Sequence, residues 1–162
     1  MWFETLQLDQ LERLLITDQG DLSFAEELLL AYLRLDGSVD RVVLDGMSLA
    51  AVVVYARPFS GNRTRLCKRE REEVLDFLSA DLPHPDLHLE ALNDRNTDIA
   101  HSDAQPKDAT FHENGTTSIF QVPRLSQRQA AGLLRNVLVM RERLRQRLQW
   151  AYAPRSQVGD EQ

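Results

Sequence analysis

A chain of 162 residues carrying one cysteine, Cys67, has the length of a single domain and excludes both an internal disulfide and a zinc site built on several cysteines. Its formal net charge of −6 argues against indiscriminate nucleic-acid binding. No stretch approaches ~20 uninterrupted apolar residues, and the opening MWFETLQLDQLERLL has neither a basic leader nor a long apolar region. The expectation is therefore one domain over residues 1–153, cytoplasmic, with no membrane span, followed by a disordered tail over 154–162.

Residues 5–16 carry Leu8, Leu11, Leu14 and Leu15 at helical spacing. Asp18 to Asp21, with Gly20, then read as a turn. Ser23-Phe24-Ala25-Glu26 has the form of a capping box and predicts a second helix running to about Leu35. Asp36-Gly37 breaks it, and Ser38 is placed to cap a third helix from Val39 to about Ala56. That helix is apolar over much of its circumference (Val39, Val42, Val43, Met47, Ala50, Val53, Val54), which predicts the most buried position. Val52-Val53-Val54 is β-branched and compatible with a strand, but the length of the segment favours a helix.

Pro58 ends it, because it lacks a donor and clashes with the preceding turn. A polar loop, FSGNRTR, leads to a short charged helix over Lys68 to Leu78, with Val74, Leu75 and Leu78 inward. LPHPD is a rigid connection. Pro85 and Asp86 suit the first turn of a helix reaching about Ala100, with Leu89, Leu92 and Ile99 as its buried stripe and Asn96 within that stripe. Residues 109–122 predict a small hairpin around Asn114-Gly115. Ser126-Gln127-Arg128-Gln129 is a second capping box, opening a last helix to about Trp150 with Leu133, Val137, Met140, Leu144 and Leu148 inward. The sum is an all-α bundle of five or six helices with one inserted β-hairpin.

Charge is distributed unevenly. Of 19 basic residues 17 are Arg, and only Lys68 and Lys107 are Lys. Six basic residues and one acid, Glu70, lie between Arg57 and Arg71; seven Arg and one acid, Glu142, lie between Arg124 and Arg147. These segments read either as solvated helix faces or as the flanks of a groove for a phosphate backbone.

The stretch that carries chemistry is DRNTDIAHSD, Asp94 to Asp103. Arg95 is a permanent cation able to grip a phosphate with two prongs. His101, six positions on, is the side-chain type best suited to moving protons at neutral pH. Arg followed directly by Asn, with five residues in all between the Arg and a His, late in a helical bundle, resembles the HEPN superfamily (higher eukaryotes and prokaryotes nucleotide-binding domain). The ending AHSD is similar to bacterial members linked to abortive infection. The resemblance covers about ten residues plus the helical content. It implies a metal-independent ribonuclease without a cofactor, in several members a toxin with a partner antitoxin. There the motif Arg and His of two subunits meet at a homodimer interface and cleave RNA. It also admits inactive members that serve as nucleotide-binding or protein-docking modules.

On an ideal helix, positions six apart lie ~120° round and ~9 Å along the axis, so Arg95 and His101 are not stacked neighbours, and a second copy would let two such edges converge on one phosphate. Asp94 and Asp98 are placed to hold the His tautomer or raise its pKa. A purely structural alternative pairs Arg95 with Asp98 and leaves His101 as a helix C-terminal donor. Asn96 would brace the Arg helix from inside. Arg57, in the string Tyr55-Ala56-Arg57-Pro58-Phe59, either pairs with an acid or adds a phosphate contact. His84 and His88, four apart but separated by Pro85, lack a further ligand cluster, so no metal site is expected.

Overall fold

The computed structural model describes residues 2–35, 38–60, 68–95, 110–111, 117–118 and 124–152. Among these the fold is all-α. Helices α1 (Trp2–Arg34), α2 (Arg41–Ala56), α3 (Lys68–Ser79), α4 (Pro85–Asp94) and α5 (Gln127–Tyr152) are joined by a 3-10 turn at Arg57–Phe59 and two two-residue strands. The strands, Thr110–Phe111 and Thr117–Ser118, pair antiparallel with Thr110 opposite Ser118. The rest of the expected hairpin, the reach of α4 to Ala100, and the tail beyond Tyr152 lie outside the described residues.

The largest departure from the sequence reading is α1. It is one helix of 33 residues rather than two helices joined at Gly20. Its inward seam, Leu11, Leu15, Asp18, Leu22, Ala25, Leu29 and Tyr32, alternates steps of four and three without losing phase. A turn at 18–21 would rotate half of that seam away from the core. Gly20 instead lies on the solvent side, with nothing within 4 Å of where a Cβ would stand. A helical glycine costs ~1 kcal/mol, which the buried Leu22 and Leu29 outweigh at ~1.5–3 kcal/mol each. Ser23 is then mid-helix and caps nothing, and Glu26 forms an ion pair with Arg141 of α5.

α1 packs most extensively on α5 and next on α2. Although the most extensive pairing is that of α1 with α5, α2 has the largest buried share of the five helices among the described residues, as its composition predicts. Its N-cap is Asp40, whose Oδ1 accepts from the Val42 N–H at 2.8 Å, rather than Ser38. It buries Leu44, Ser48, Ala51, Val52 and Tyr55, and leaves Val42 and Val43 exposed. Arg41–Phe59 is also long and apolar enough to cross a membrane by length and composition, which the sequence reading did not anticipate; the core helix of a helical bundle has the same composition. Pro58 ends α2 as expected, at the 3-10 turn.

α3 buries Leu78 and packs Val74 on the core. It closes through Asp81, which adopts a left-handed φ of 41°, and through Arg143 of α5. The Arg143 guanidinium donates to the Leu78 carbonyl at 3.1 Å and to the Ala80 carbonyl, covering acceptors left over at the helix end. In α4 the inward residues are His88 and Ala91, and Leu89 is 63% exposed. The buried stripe is thus shifted by one position from Leu89 and Leu92. α5 matches expectation closely: Leu133, Val137, Met140 and Leu144 are buried and Leu148 packs against the core. Its capping box is reciprocal. The Gln129 N–H donates to Ser126 Oγ at 3.2 Å, and the Ser126 N–H donates to Gln129 Oε1 at 2.9 Å.

Candidate functional site

α4 carries the start of the Arg/His motif, and few apolar side chains hold it. Its anchor is a polar cluster centred on Asn136, which is fully buried on α5. Asn136 Oδ1 accepts from the His84 N–H at 2.9 Å, and Asn136 Nδ2 donates to the His84 carbonyl at 2.8 Å. These two backbone partners leave the amide only one orientation. Asn136 Nδ2 therefore also donates to Tyr55 Oη, at 3.4 Å. Tyr55 Oη is in turn hydrogen-bonded to His88 Nδ1 at 2.9 Å.

Burial favours the neutral ring: desolvation lowers the His88 pKa below 6.5. It also raises that of Tyr55 well above 10, Asn136 opposing in part. Phe59, just after Arg57 and Pro58, meets the His88 ring edge-on at 4.6 Å. Gly132 lets α5 approach α4 closely, since a Cβ there would stand 2.4 Å from Leu87 Cδ1.

Between α4 and the first turns of α5 is a cleft of about 140 Å³, lined by Leu87, Glu90, Asp94, Arg124, Gln129 and Leu133 among others. Its floor is apolar and its rim is charged. Gln129 bridges the two helices, its Nε2 donating to Glu90 at 3.1 Å. Arg124 makes a 3.7 Å ion pair with Asp45 of α2 and stays 44% exposed. The next residue, Leu125, is fixed at both polar groups: its N–H donates to Ser48 Oγ at 2.8 Å, and its carbonyl accepts from Tyr32. Asp94 is the last residue of α4 and lines the cleft; Arg95 is the C-cap, half-buried, with its N–H on the carbonyls of Ala91 and Leu92.

Asn96, Asp98 and His101 lie outside the described residues. Arg57 pairs with Asp21 of α1 at 3.3 Å and remains 42% exposed. His84 and His88 are brought to one cluster, but through the backbone of the first and the ring of the second. Among the described residues no group of three His, Cys, Asp or Glu is placed to hold a metal ion. Sequence reasoning missed the Tyr55–His88–Asn136 cluster. The signals were present: an amide beside Leu133, Val137 and Met140 on an otherwise apolar face, and a His at i+3 from Pro85 where an aliphatic residue would suit the core. Comparison with protein-family models, curated proteins and solved structures finds no match to this chain.

Proposed function

We propose that this is a HEPN-like helical protein that binds or cleaves RNA, without a metal, at a site made by Arg95 and His101. The observation that carries the reading is where the motif begins. DRNTDIAHSD opens on the last residue of α4, so Asp94 lines a cleft and Arg95, the next residue, is the helix C-cap. The all-helical frame and the short ladder at Thr110–Phe111 and Thr117–Ser118 are compatible with the bundle and hairpin of that reading. In it, His101 is general base to a ribose 2′-hydroxyl or general acid to the leaving oxygen. Arg95 stabilises the charge that builds on the phosphorane-like transition state. Asn96, Asp94 and Asp98 orient the pair, Arg57 adds a peripheral cation, and a second copy completes the site. The setting is a toxin or phage-defence ribonuclease with a partner antitoxin.

A second reading, a non-catalytic interaction or nucleotide-binding module of the same fold, is favoured by one observation: two carboxylates, Glu90 and Asp94, line the cleft beside Arg95 and repel a phosphate. RNA cleavage in EDTA by wild type, Arg95→Ala and His101→Ala, with thermal melts of all three, separates them. The nuclease reading expects each variant to lose ~10²–10³ in rate, the worth of a transition-state contact of ~3–4 kcal/mol, with an unchanged melting temperature. A wild type inert on every RNA tested moves the assignment to the second reading.

A further inference from the structure

We infer that the cleft between α4 and α5 is a subsite for one guanine base. Its volume of about 140 Å³ is well below the ~300–1,000 Å³ of sites that enclose whole ligands. It therefore takes a planar fragment and leaves the sugar and phosphate outside. Leu87, Ala91 and Leu133 give it an apolar lining for the face of a ring. At the rim stand Glu90, Asp94, Gln129 and Arg124. Carboxylates here repel a phosphate, but they accept from the N–H groups of a base. The rim that excludes the backbone thus suits the edge of a base.

Two features choose guanine. The first is that the polar groups are held in place. Gln129 Oε1 accepts from the Ser126 N–H at 2.9 Å and from the Ser126 hydroxyl at 2.8 Å, so Nε2 turns to Glu90 and donates to its Oε1 at 3.1 Å. The capping box of α5 thereby orients an otherwise exposed carboxylate. Among the described residues Glu90 makes no other bond, and its remaining lone pairs, those of Oε2 included, are open to a ligand. Arg124 precedes Leu125, whose N–H and carbonyl are both tied, and stays half-exposed beyond its pair with Asp45. The second feature is the pattern of donors. Fixed acceptors beside one cation match a base that shows two adjacent donors next to two acceptors. Guanine alone does so: N1–H and the N2 amino group for the Glu90 carboxylate, O6 and N7 for Arg124. Cytosine and adenine set a bare ring nitrogen beside their amino group, facing the carboxylate, and uracil sets a carbonyl on each side of its one N–H. Arg95 follows Glu90 by five residues, ~7.5 Å along the axis, a span that one nucleotide covers from base to phosphate. The inference rests on the RNA reading for the strand that supplies the base, and free guanosine tests the subsite without it.

The experiment measures, by fluorescence anisotropy, binding of the full chain to short 2′-O-methyl uridine strands whose central nucleoside is guanosine, adenosine, cytidine, uridine or inosine. The blocked 2′-oxygen prevents cleavage. The guanosine strand should bind about tenfold tighter than the adenosine, cytidine and uridine strands, equivalent to ~1.4 kcal/mol. Inosine lacks the 2-amino group and should fall between. Glu90→Gln, which puts a donor in place of one acceptor, should remove the preference, and Arg124→Gln should reduce it. Asp86→Asn takes the same charge from α4 outside the cleft and should keep it. Glu90 is exposed, so Glu90→Gln should melt with wild type. Equal binding of all strands, a preference for another base, or a guanosine preference that survives Glu90→Gln overturns the inference. If no strand binds, calorimetric titration with guanosine and adenosine decides. Guanosine-selective binding that Glu90→Gln abolishes keeps the subsite and removes the RNA reading, and binding of neither removes the subsite. A guanosine preference in a protein that cleaves no RNA keeps the subsite and removes the nuclease reading alone.

Discussion

Asn136 shows why a buried amide is not interchangeable with the leucines around it. It satisfies both polar groups of the His84 backbone and reaches Tyr55, which is hydrogen-bonded to His88. The burial of His88 sets a pH dependence. An unfolded His titrates near 6.5, and burial holds folded His88 below that value. Above pH ~6.5 both states are neutral and His88 adds no slope. As pH falls below that point the unfolded chain takes up a proton that the folded chain refuses, so stability drops until the folded pKa is passed. The melting temperature of wild type should therefore fall between about pH 7.5 and about pH 5.5, and His88→Gln should lose part of that slope. Equal slopes in the two proteins would mean that His88 does not titrate in this window. The sequence held only indirect signals of this, an amide on an apolar face and a His at a core position, and neither names the buried Tyr that the His meets.

At the scale of the element, α5 was read almost whole and α1 was not, for one physical reason. α5 has a start signal and an apolar period that agree: Ser126 and Gln129 cap each other, and Leu133, Val137, Met140 and Leu144 follow in phase. In α1 the local signals of Gly20 and of Ser23 with Glu26 contradict the seam from Leu11 to Tyr32, and long-range burial against α5 decides for the seam. In α4 the period was right and the phase was off by one, since His88 turns inward to Tyr55 and Leu89 turns out. Gly20→Ala tests the point directly. Within a continuous helix with open space at that position, alanine should stabilise by ~1 kcal/mol, raising the melting temperature by about 2–4 °C for a chain of this size. A lower melting temperature would restore the turn that the local signals predicted.

Over the whole molecule, stability is shared unequally. α1 and α5 form the longest apolar contact, while α4 is 10 residues long, and its two buried residues are His88 and Ala91. Directional polar contacts to Asn136 and Tyr55, more than apolar area, keep it in place. The candidate site was legible as a motif because Arg and His chemistry is written in residue type. Its surroundings were not, because Arg124 and Gln129 reach the cleft from α5 and its lead-in, about thirty residues further along the chain. The element that bears Arg95 should therefore open more readily than the frame behind it. Native-state hydrogen exchange should show α1 and α5 exchanging near the global limit and α4 through a smaller opening. Asn136→Ala leaves the His84 N–H and carbonyl without their partner, a loss of ~1–3 kcal/mol. It should speed exchange in α4 by roughly ten- to hundredfold and alter the centre of α1 less. Uniform acceleration of all helices would instead make α4 an inseparable part of one cooperative unit, and would leave the Arg95 end of α4 as rigid as the core.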